Sequence, residues 1–208
     1  VIWLLLACFP FIWTFWGSFK VRADFFSRAD WWYAITAFNT LIETGARFTK
    51  EAYSGAWFEG EFWKASRNTV IVTISVVSIS LFLGTLGAYA LSRSTKNYAF
   101  WILIIALIFR AMPHITLVSG YLFPFFQLQI WGILPTTIVV LVAINQPFTL
   151  WLLYSFFKTV PKELDESALI DGCSYFQAFR HIIMPVMWPG VITAGLFSLM
   201  LAYNDFTV

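Results

Sequence analysis

The chain has 208 residues, of which 60% are hydrophobic and only 12% are charged, with a formal net charge of +2 and a mean hydropathy of +0.75. A soluble domain of this size would expose more apolar surface than its polar side chains can cover, so the composition indicates an integral membrane protein. The net charge is small and the sequence has no run of basic residues, which excludes nucleic acid as a partner.

Apolar runs predict five membrane-spanning helices. A helix needs about 20 mainly apolar residues to cross roughly 30 Å of hydrocarbon. The candidate spans are residues 1–19, 69–91, 98–122, 133–157 and 191–208, the last of them incomplete. We expect Pro10 and Gly17 to bend the first span, and the third requires that Arg110 and His114 be tolerated in the membrane.

The first run lacks a basic leading segment and an Ala-x-Ala-like cleavage site, so it is interpreted as a retained helix and not as a signal peptide. The sequence opens with Val1 directly in an apolar run and stops within another. We therefore expect it to be a piece of a longer protein.

Loop charges predict the orientation, because short cytoplasmic loops are rich in Lys and Arg. The connection that follows the second span carries Arg93 and Lys96, whereas the connection at residues 123–132 carries no charge. The first of these connections is therefore assigned to the cytoplasm and the second to the outside. Alternation then places residues 20–68 outside and residues 158–189 in the cytoplasm.

The external segment interleaves large aromatic residues with charges. These residues are Trp31, Trp32, Tyr33, Trp57 and Trp63. Amphipathic aromatic side chains concentrate at the membrane surface, which favours interfacial helices packed on the rim. A docking surface for an external partner is the alternative interpretation, and the two are compatible.

No catalytic or metal-binding motif is present in the sequence. It contains no Gly-rich phosphate loop, no nucleophile elbow and no His-x-x-x-His pair. Cys8 and Cys173 lie far apart and suggest neither a disulfide framework nor a metal site. We expect no catalytic residue, no metal and no cofactor in this chain.

The cytoplasmic loop is unusually ordered for a connection between spans, and its first half predicts a short helix. Pro161 suits a first helical position. Glu163, Asp165 and Glu166 follow it, and acidic residues are favoured in a first turn by the helix dipole.

The second half of the loop predicts a turn and a second helix. Asp171 and Gly172 supply the turn, because glycine adopts the left-handed conformation that ends helices. Ser174 and Gln177 have the spacing of a capping box, so the second helix begins at once. Five apolar residues of this helix form a stripe expected to lie against the membrane helices: Tyr175, Phe176, Phe179, Ile182 and Ile183.

The spacing of Glu166, Ala168, Gly172, Ile182 and Pro185 resembles the Glu-Ala-Ala signature of inner-membrane permeases in binding-protein-dependent ABC importers. Ser167 stands where that signature has Ala, and Met184 where it has Leu.

Further similarities lie at Asn68-Thr69, at Ala88 to Arg93 and at Tyr203 to Phe206. They resemble the carbohydrate branch of the family, and most of all the smaller membrane subunit of maltose-type importers.

The resemblance implies an all-α integral membrane protein of the bacterial inner membrane. Its fold would be the type I ABC importer transmembrane domain (MetI-like), with five of an expected six transmembrane helices present. It would be the permease subunit that moves a sugar or polyol by ATP-driven alternating access. The implied partners are two ATPase subunits that bind ATP and Mg, a second homologous permease, an external substrate-binding protein and the lipid membrane.

The resemblance also implies that the loop is a coupling helix which fits a groove on the ATPase. The implied coupling residues are Glu166, Ser167, Ala168, Asp171, Gly172, Ile182 and Pro185. Glu166 would make an ionic contact and Gly172 would permit the close turn. The alternatives are that Glu166 only stabilises the helix dipole, that Gly172 is an ordinary helix cap, and that Pro185 only punctuates the chain before the fifth span.

Polar residues within the spans are candidates for a translocation path, since ionisable groups in a membrane are costly and often functional. The candidates are Arg110, His114, Asn145, Asn204 and Asp205. The alternatives are that Pro113 breaks the helix, so that Arg110 and His114 neutralise freed carbonyls or a neighbouring acid, and that the other residues bond between helices.

Two other classes of function remain open at this point. A secondary transporter or channel would work without an ATPase, but it would call for midplane charges or internal repeats, and no convincing repeat is found. A membrane scaffold would not need the spacing from Glu166 to Pro185.

Overall fold

The computed structural model describes residues 2–19, 51–130 and 132–204, and every regular element in these ranges is a helix. The chain forms two compact units, residues 1–67 and residues 68–208. Asp205, most of the predicted external segment and the outermost residues of the first and last predicted spans lie outside the described residues.

The described elements of the first unit are α1 (Ile2–Gly17), α2 (Glu51–Ser54) and a π-helical turn (Gly55–Glu59). Within α1, the Thr14 hydroxyl donates to the carbonyl of Pro10 at 2.7 Å. The hydroxyls of Ser18 and Tyr53 lie 2.6 Å apart. α1 has 16 residues, or about 24 Å at 1.5 Å per residue, and its crossing of the membrane stays a prediction.

The next helices along the chain are α3 (Phe62–Arg93), α4 (Tyr98–Ala111), α5 (His114–Gln127), α6 (Leu134–Thr159), α7 (Glu163–Ile170), α8 (Tyr175–Ala178) and α9 (Met184–Asn204). A π-helical turn, Phe179–Ile183, joins α8 to α9, so that Tyr175–Asn204 is one continuous helix. Among the described residues, three helices are long and apolar enough to cross a membrane: α3, α6 and Tyr175–Asn204. They correspond to the second, fourth and fifth predicted spans.

The third predicted span, residues 98–122, is divided into two helices of 14 residues each. The division falls at Met112 and Pro113. Proline lacks an amide hydrogen and disfavours the helical conformation in the residue before it. Met112 accordingly has an extended backbone, with φ −70° and ψ 143°, which agrees with the alternative that Pro113 breaks this helix.

The second unit is organised around α6, which packs against α4, α5 and α9. Its main core draws buried side chains from α3, α6, the π-helical turn and α9. These are Ala88, Leu153, Phe157, Val160, Phe179, Ile183, Met187, Val191 and Ala194, where Val160 directly follows α6. The core therefore joins three long helices, α3, α6 and α9, to the loop between α6 and α9.

Gly190 allows α9 to lie close to α6. A Cβ atom at this position would lie 2.9 Å from Cγ of Phe156, whereas a Cβ at Gly120 in α5 would have nothing within 4 Å. We expect Gly190→Ala to be about 1–3 kcal/mol less stable than Gly120→Ala, because overpacking forces neighbouring atoms to move. Unfolding of the two variants in SDS titrations measures this difference, and equal stability would contradict the close packing.

Candidate functional site

The first helix of the loop, α7, begins with the three predicted acidic residues in its first turn, Glu163, Asp165 and Glu166. The N-terminal amides of a helix favour negative charge there. The environments of the three differ, however, because Glu163 and Glu166 are exposed whereas Asp165 is buried. A shared role in stabilising the helix dipole therefore does not account for all three.

The predicted turn at Gly172 is confirmed. Gly172 has φ +87°, a left-handed conformation that glycine adopts without a steric penalty. Its amide donates to the carbonyl of Leu169 at 3.1 Å, and the amide of Cys173 donates to the carbonyl of Ala168 at 3.0 Å. This pair of hydrogen bonds is the Schellman arrangement, which satisfies carbonyls at the end of a helix.

The predicted start of the second helix is also confirmed. The amide of Ser174 donates to Oε1 of Gln177 at 2.8 Å, and the amide of Gln177 donates to Oγ of Ser174 at 3.3 Å. Both hydrogen bonds of a capping box are thus present. Three residues separate this cap from the end of α7 at Ile170, so the loop is a two-helix elbow centred on Gly172.

The predicted apolar stripe is wrong for two of its five residues. Phe179 and Ile183 are buried and Ile182 is half-buried, but Tyr175 and Phe176 are 73% and 64% exposed. The reason is that the first residues of the continuous helix extend past the core, and buried positions begin only at Ala178, directly before the π-helical turn.

The elbow presents a mixed polar and apolar face. We call this the elbow surface, and it comprises Glu166, Ser167, Ile170, Tyr175 and Phe176, all of them exposed. Ile170 is 86% exposed. Large apolar side chains are costly to leave in water. A loop that exposes several of them is typical of a surface that contacts another molecule.

The other predicted coupling residues have varied environments. Asp171, Gly172 and Pro185 are exposed, Ile182 is half-buried, and Ala168 is buried against the rest of the unit. Ala168 therefore belongs to the packing of the elbow, and its neighbours on α7 face outward.

A buried ion pair that the sequence analysis missed holds the elbow from within. Nη2 of Arg93, in the last turn of α3, lies 2.8 Å from Oδ2 of Asp165, and these side chains are only 16% and 12% exposed. The hydroxyl of Tyr89, one turn earlier on α3, donates to the other carboxylate oxygen. The signal in the sequence was a charged residue at the end of a span, but nothing there indicated its partner 72 residues away.

Arg93 also contacts the end of α6. Its Nη1 donates to the carbonyl of Val160 at 3.0 Å and to that of Phe157 at 3.3 Å. Carbonyls at a helix C-terminus lack partners within the helix and favour positive charge. The guanidinium lies 5.6 Å from the centre of the Tyr89 ring, within the range of a cation–π contact.

A cavity of about 230 Å³ lies between α4, α5 and α6, and it includes one of the predicted translocation residues. Arg110 lines it together with Tyr121 and Gln146. The Arg110 guanidinium also lies 5.8 Å from the centre of the Phe148 ring. His114 begins α5, but its side chain lies outside the described part of the structure.

The remaining translocation candidates lie elsewhere. Asn145 is buried, and its amide nitrogen donates to Oγ of Ser198 at 2.6 Å and to the carbonyl of the same residue at 3.3 Å. It therefore bonds α6 to α9, as the alternative interpretation holds. Asn204 is exposed and donates to the carbonyl of Met200 one turn earlier.

These features define an all-α membrane protein in which an exposed two-helix elbow connects α6 to the long apolar helix Tyr175–Asn204, whose first turn is the second arm of the elbow. Among the described residues, no group of His, Cys, Asp and Glu could hold a metal ion. Residues 80–208 match the family described as binding-protein-dependent transport system inner membrane component. The chain belongs to this family, and both the predicted resemblance and the predicted fold class are confirmed.

Several curated proteins are similar to nearly the whole chain. The identity is 30% to the diacetylchitobiose uptake system permease protein NgcG of Streptomyces coelicolor, over 99% of this chain and 64% of that protein. It is 31% to the trehalose/maltose transport system permease protein MalG of Thermococcus litoralis, over 99% of this chain and 70% of that protein. The chain thus spans less than two thirds of the length of NgcG.

A solved structure shares the fold. It is a chain from a bacterial ABC transporter involved in the import of the acidic polysaccharide alginate. The TM-score is 0.75 at 20% identity, over 98% of this chain and 68% of that chain. The family that the chain matches is an inner membrane component, and three described helices are able to span a membrane, so the protein is a multi-pass inner-membrane protein, as predicted.

Proposed function

We propose that the chain is the permease subunit of an ABC importer that moves a sugar or polyol across the bacterial inner membrane by ATP-driven alternating access. The observation that carries the proposal is the exposed elbow, in a family of binding-protein-dependent transport components. Relatives named for the uptake of diacetylchitobiose and of trehalose or maltose support a carbohydrate as substrate.

The elbow surface is the proposed contact with the ATPase. The Glu166 side chain is exposed on the elbow. It can therefore reach a basic side chain on a partner without any rearrangement of its own chain. Ser167 would add polar contacts, as would Asp171, which is exposed beside this surface. The apolar side chains of Ile170 and Phe176 would fill a groove on the ATPase. An exposed ion pair of this kind contributes specificity more than binding energy.

The remaining coupling residues hold this surface in place. Gly172 sets the angle of the elbow, Ala168 seats α7 on the rest of the unit, and Ile182 and Pro185 lie where the elbow passes into α9. ATP and Mg would be bound by two separate ATPase subunits, because this sequence contains no phosphate-binding motif. A second homologous permease and an external substrate-binding protein complete the proposed assembly.

The cavity beside Arg110 is the proposed part of the translocation path. Most of the lining is apolar, and Arg110, Tyr121 and Gln146 supply its few polar groups, which is the usual composition of a small-molecule site. His114, at the start of α5, and Asp205 stay candidates for the same path. Asn145 bonds α6 to α9, and Asn204 bonds a carbonyl of its own helix. Their geometry favours these structural roles over a place in the path.

Charge reversal at the elbow surface tests the proposal. In the assembled transporter in proteoliposomes, we expect Glu166→Lys to reduce substrate-stimulated ATP hydrolysis and transport about tenfold or more, since a like-charge contact at an interface costs several kcal/mol. Glu163→Lys is the matched control, because it reverses another exposed acid in the same first turn and should have little effect.

Equal losses in the two variants would mean that Glu166 acts only through the helix dipole. Transport that proceeds without ATP hydrolysis would instead favour the alternative, a secondary transporter or channel subunit.

A further inference from the structure

The buried side of the elbow carries a group that the contact with an ATPase does not explain. Asp165 is buried and points away from the elbow surface. Its carboxylate accepts a hydrogen bond from the Tyr89 hydroxyl and forms an ion pair with Arg93, and both of these residues belong to α3. Removing a charge from water is costly unless it is paired. An exposed acid in the first turn, such as Glu163, can already stabilise the helix dipole, so the burial of Asp165 calls for another reason.

Four elements meet at this point. Arg93 joins the carboxylate of α7 to the final carbonyls of α6. The Tyr89 ring lies edge-on to Phe157 of α6, with centroids 5.7 Å apart, and 4.8 Å from Phe179 in the π-helical turn. Tyr89 and Arg93, one turn apart on α3, thus connect α3 and α6 to both arms of the elbow. The first arm is α7, and the second is the start of the continuous helix, which includes Phe179.

We propose that Asp165, Arg93 and Tyr89 form a positioning clamp that makes the elbow move as one body with the ends of α3 and α6. The inference rests on the proposed function, since it assigns the connection through which the elbow would act on the membrane helices. The three side chains contact one another inside the chain, so the role assigned to them is positioning. They set how much of a displacement of the elbow reaches the helices.

The geometry favours this role over simple stability. The hydrogen bond from Tyr89 to the Asp165 carboxylate is charge-assisted, and such bonds are short and geometrically specific. Together with the Arg93 ion pair it holds α7 in one position relative to the end of α3. Apolar contacts of Phe157 and Phe179 already hold the elements together and permit some sliding. The clamp removes that freedom at the place where α7 leaves α6.

Replacement of the buried acid separates the clamp from the helix dipole. Asp165→Asn keeps the size of the side chain and removes its charge, and Glu163→Gln removes an exposed charge from the same turn. In the complete transporter, we expect Asp165→Asn to lower substrate transported per ATP hydrolysed by about 2- to 30-fold, the range found for mutations in coupling networks. Glu163→Gln should leave this ratio unchanged.

A second readout does not depend on transport. Amide hydrogen exchange over residues 163–170 should accelerate in Asp165→Asn and stay at the wild-type rate in Glu163→Gln. Asp165→Glu, which keeps the charge, should restore part of both readouts. An Asp165→Asn complex that assembles normally with unchanged exchange and an unchanged transport ratio would overturn the proposal.

Tyr89→Phe carries the test if Asp165→Asn does not assemble. It removes only the hydroxyl and leaves the ring packed on Phe157 and Phe179, so a smaller change in the same direction is expected. Unchanged exchange and transport ratio in this variant would then overturn the clamp. Failure of the proposed function has a different signature, because the wild-type complex itself would transport without ATP while hydrogen exchange still reports on the clamp.

Discussion

Gly172→Pro is expected to abolish coupled transport while leaving the three long helices in place. Proline fixes φ near −65°, whereas Gly172 has φ +87°, and proline removes the amide that donates to Leu169. Such a conflict costs about 3 kcal/mol or more, so the elbow must adopt another shape. Substrate-stimulated ATP hydrolysis and substrate uptake in proteoliposomes measure the loss, which should reach about a hundredfold if this cost falls entirely on coupling.

A graded series at the same position isolates the backbone effect. A Cβ atom at Gly172 would have nothing within 4 Å, so side-chain crowding within this chain does not complicate the comparison. Gly172→Asn should retain most of the activity, because Asn tolerates the left-handed conformation, and Gly172→Val should lose much of it. Transport at the wild-type level in Gly172→Pro would contradict the coupling role of the elbow.

Phe157→Ala is expected to destabilise the second unit by about 3–5 kcal/mol, the cost of a large cavity in a packed core. Phe157 is fully buried and belongs to the cluster that joins α3, α6, the π-helical turn and α9. Its ring also supports Tyr89. The midpoint of unfolding in SDS titrations measures the effect.

Phe123→Ala is the matched control, because the same ring is removed from a side chain that is 69% exposed. Equal destabilisation by the two substitutions would show that the core does not depend on Phe157. The predicted difference is independent of ATP and of any partner, so it tests the packing alone.

Local chemistry made much of the elbow predictable from the sequence. The left-handed Gly172 and the Ser174–Gln177 capping box depend on residues within one or two turns of each other, and both are present as predicted. Long apolar runs likewise predicted three of the helices able to cross a membrane. The apolar run at residues 98–122 predicts one span, whereas the structure has two helices there with the break at Pro113.

Contacts between distant segments were not predictable in the same way. The sequence shows Arg93 and Asp165 as two ordinary charged residues, and only the folded chain brings α7 to the last turn of α3 and pairs them. The bond from Asn145 to Ser198 has the same character. The π-helical turn carries no strong local signal, yet it decides where the second arm of the elbow meets the core, which is why Tyr175 and Phe176 were misplaced.

The continuous helix Tyr175–Asn204 has 30 residues, which corresponds to about 45 Å. The hydrocarbon layer is roughly 30 Å thick, so about 15 Å of this helix must be taken up by tilt or must protrude from the bilayer. Hydrophobic mismatch changes helix tilt with the thickness of the surrounding lipid. Because the second arm of the elbow is the first turn of this same helix, lipid chain length becomes a variable that shifts the elbow relative to the membrane plane.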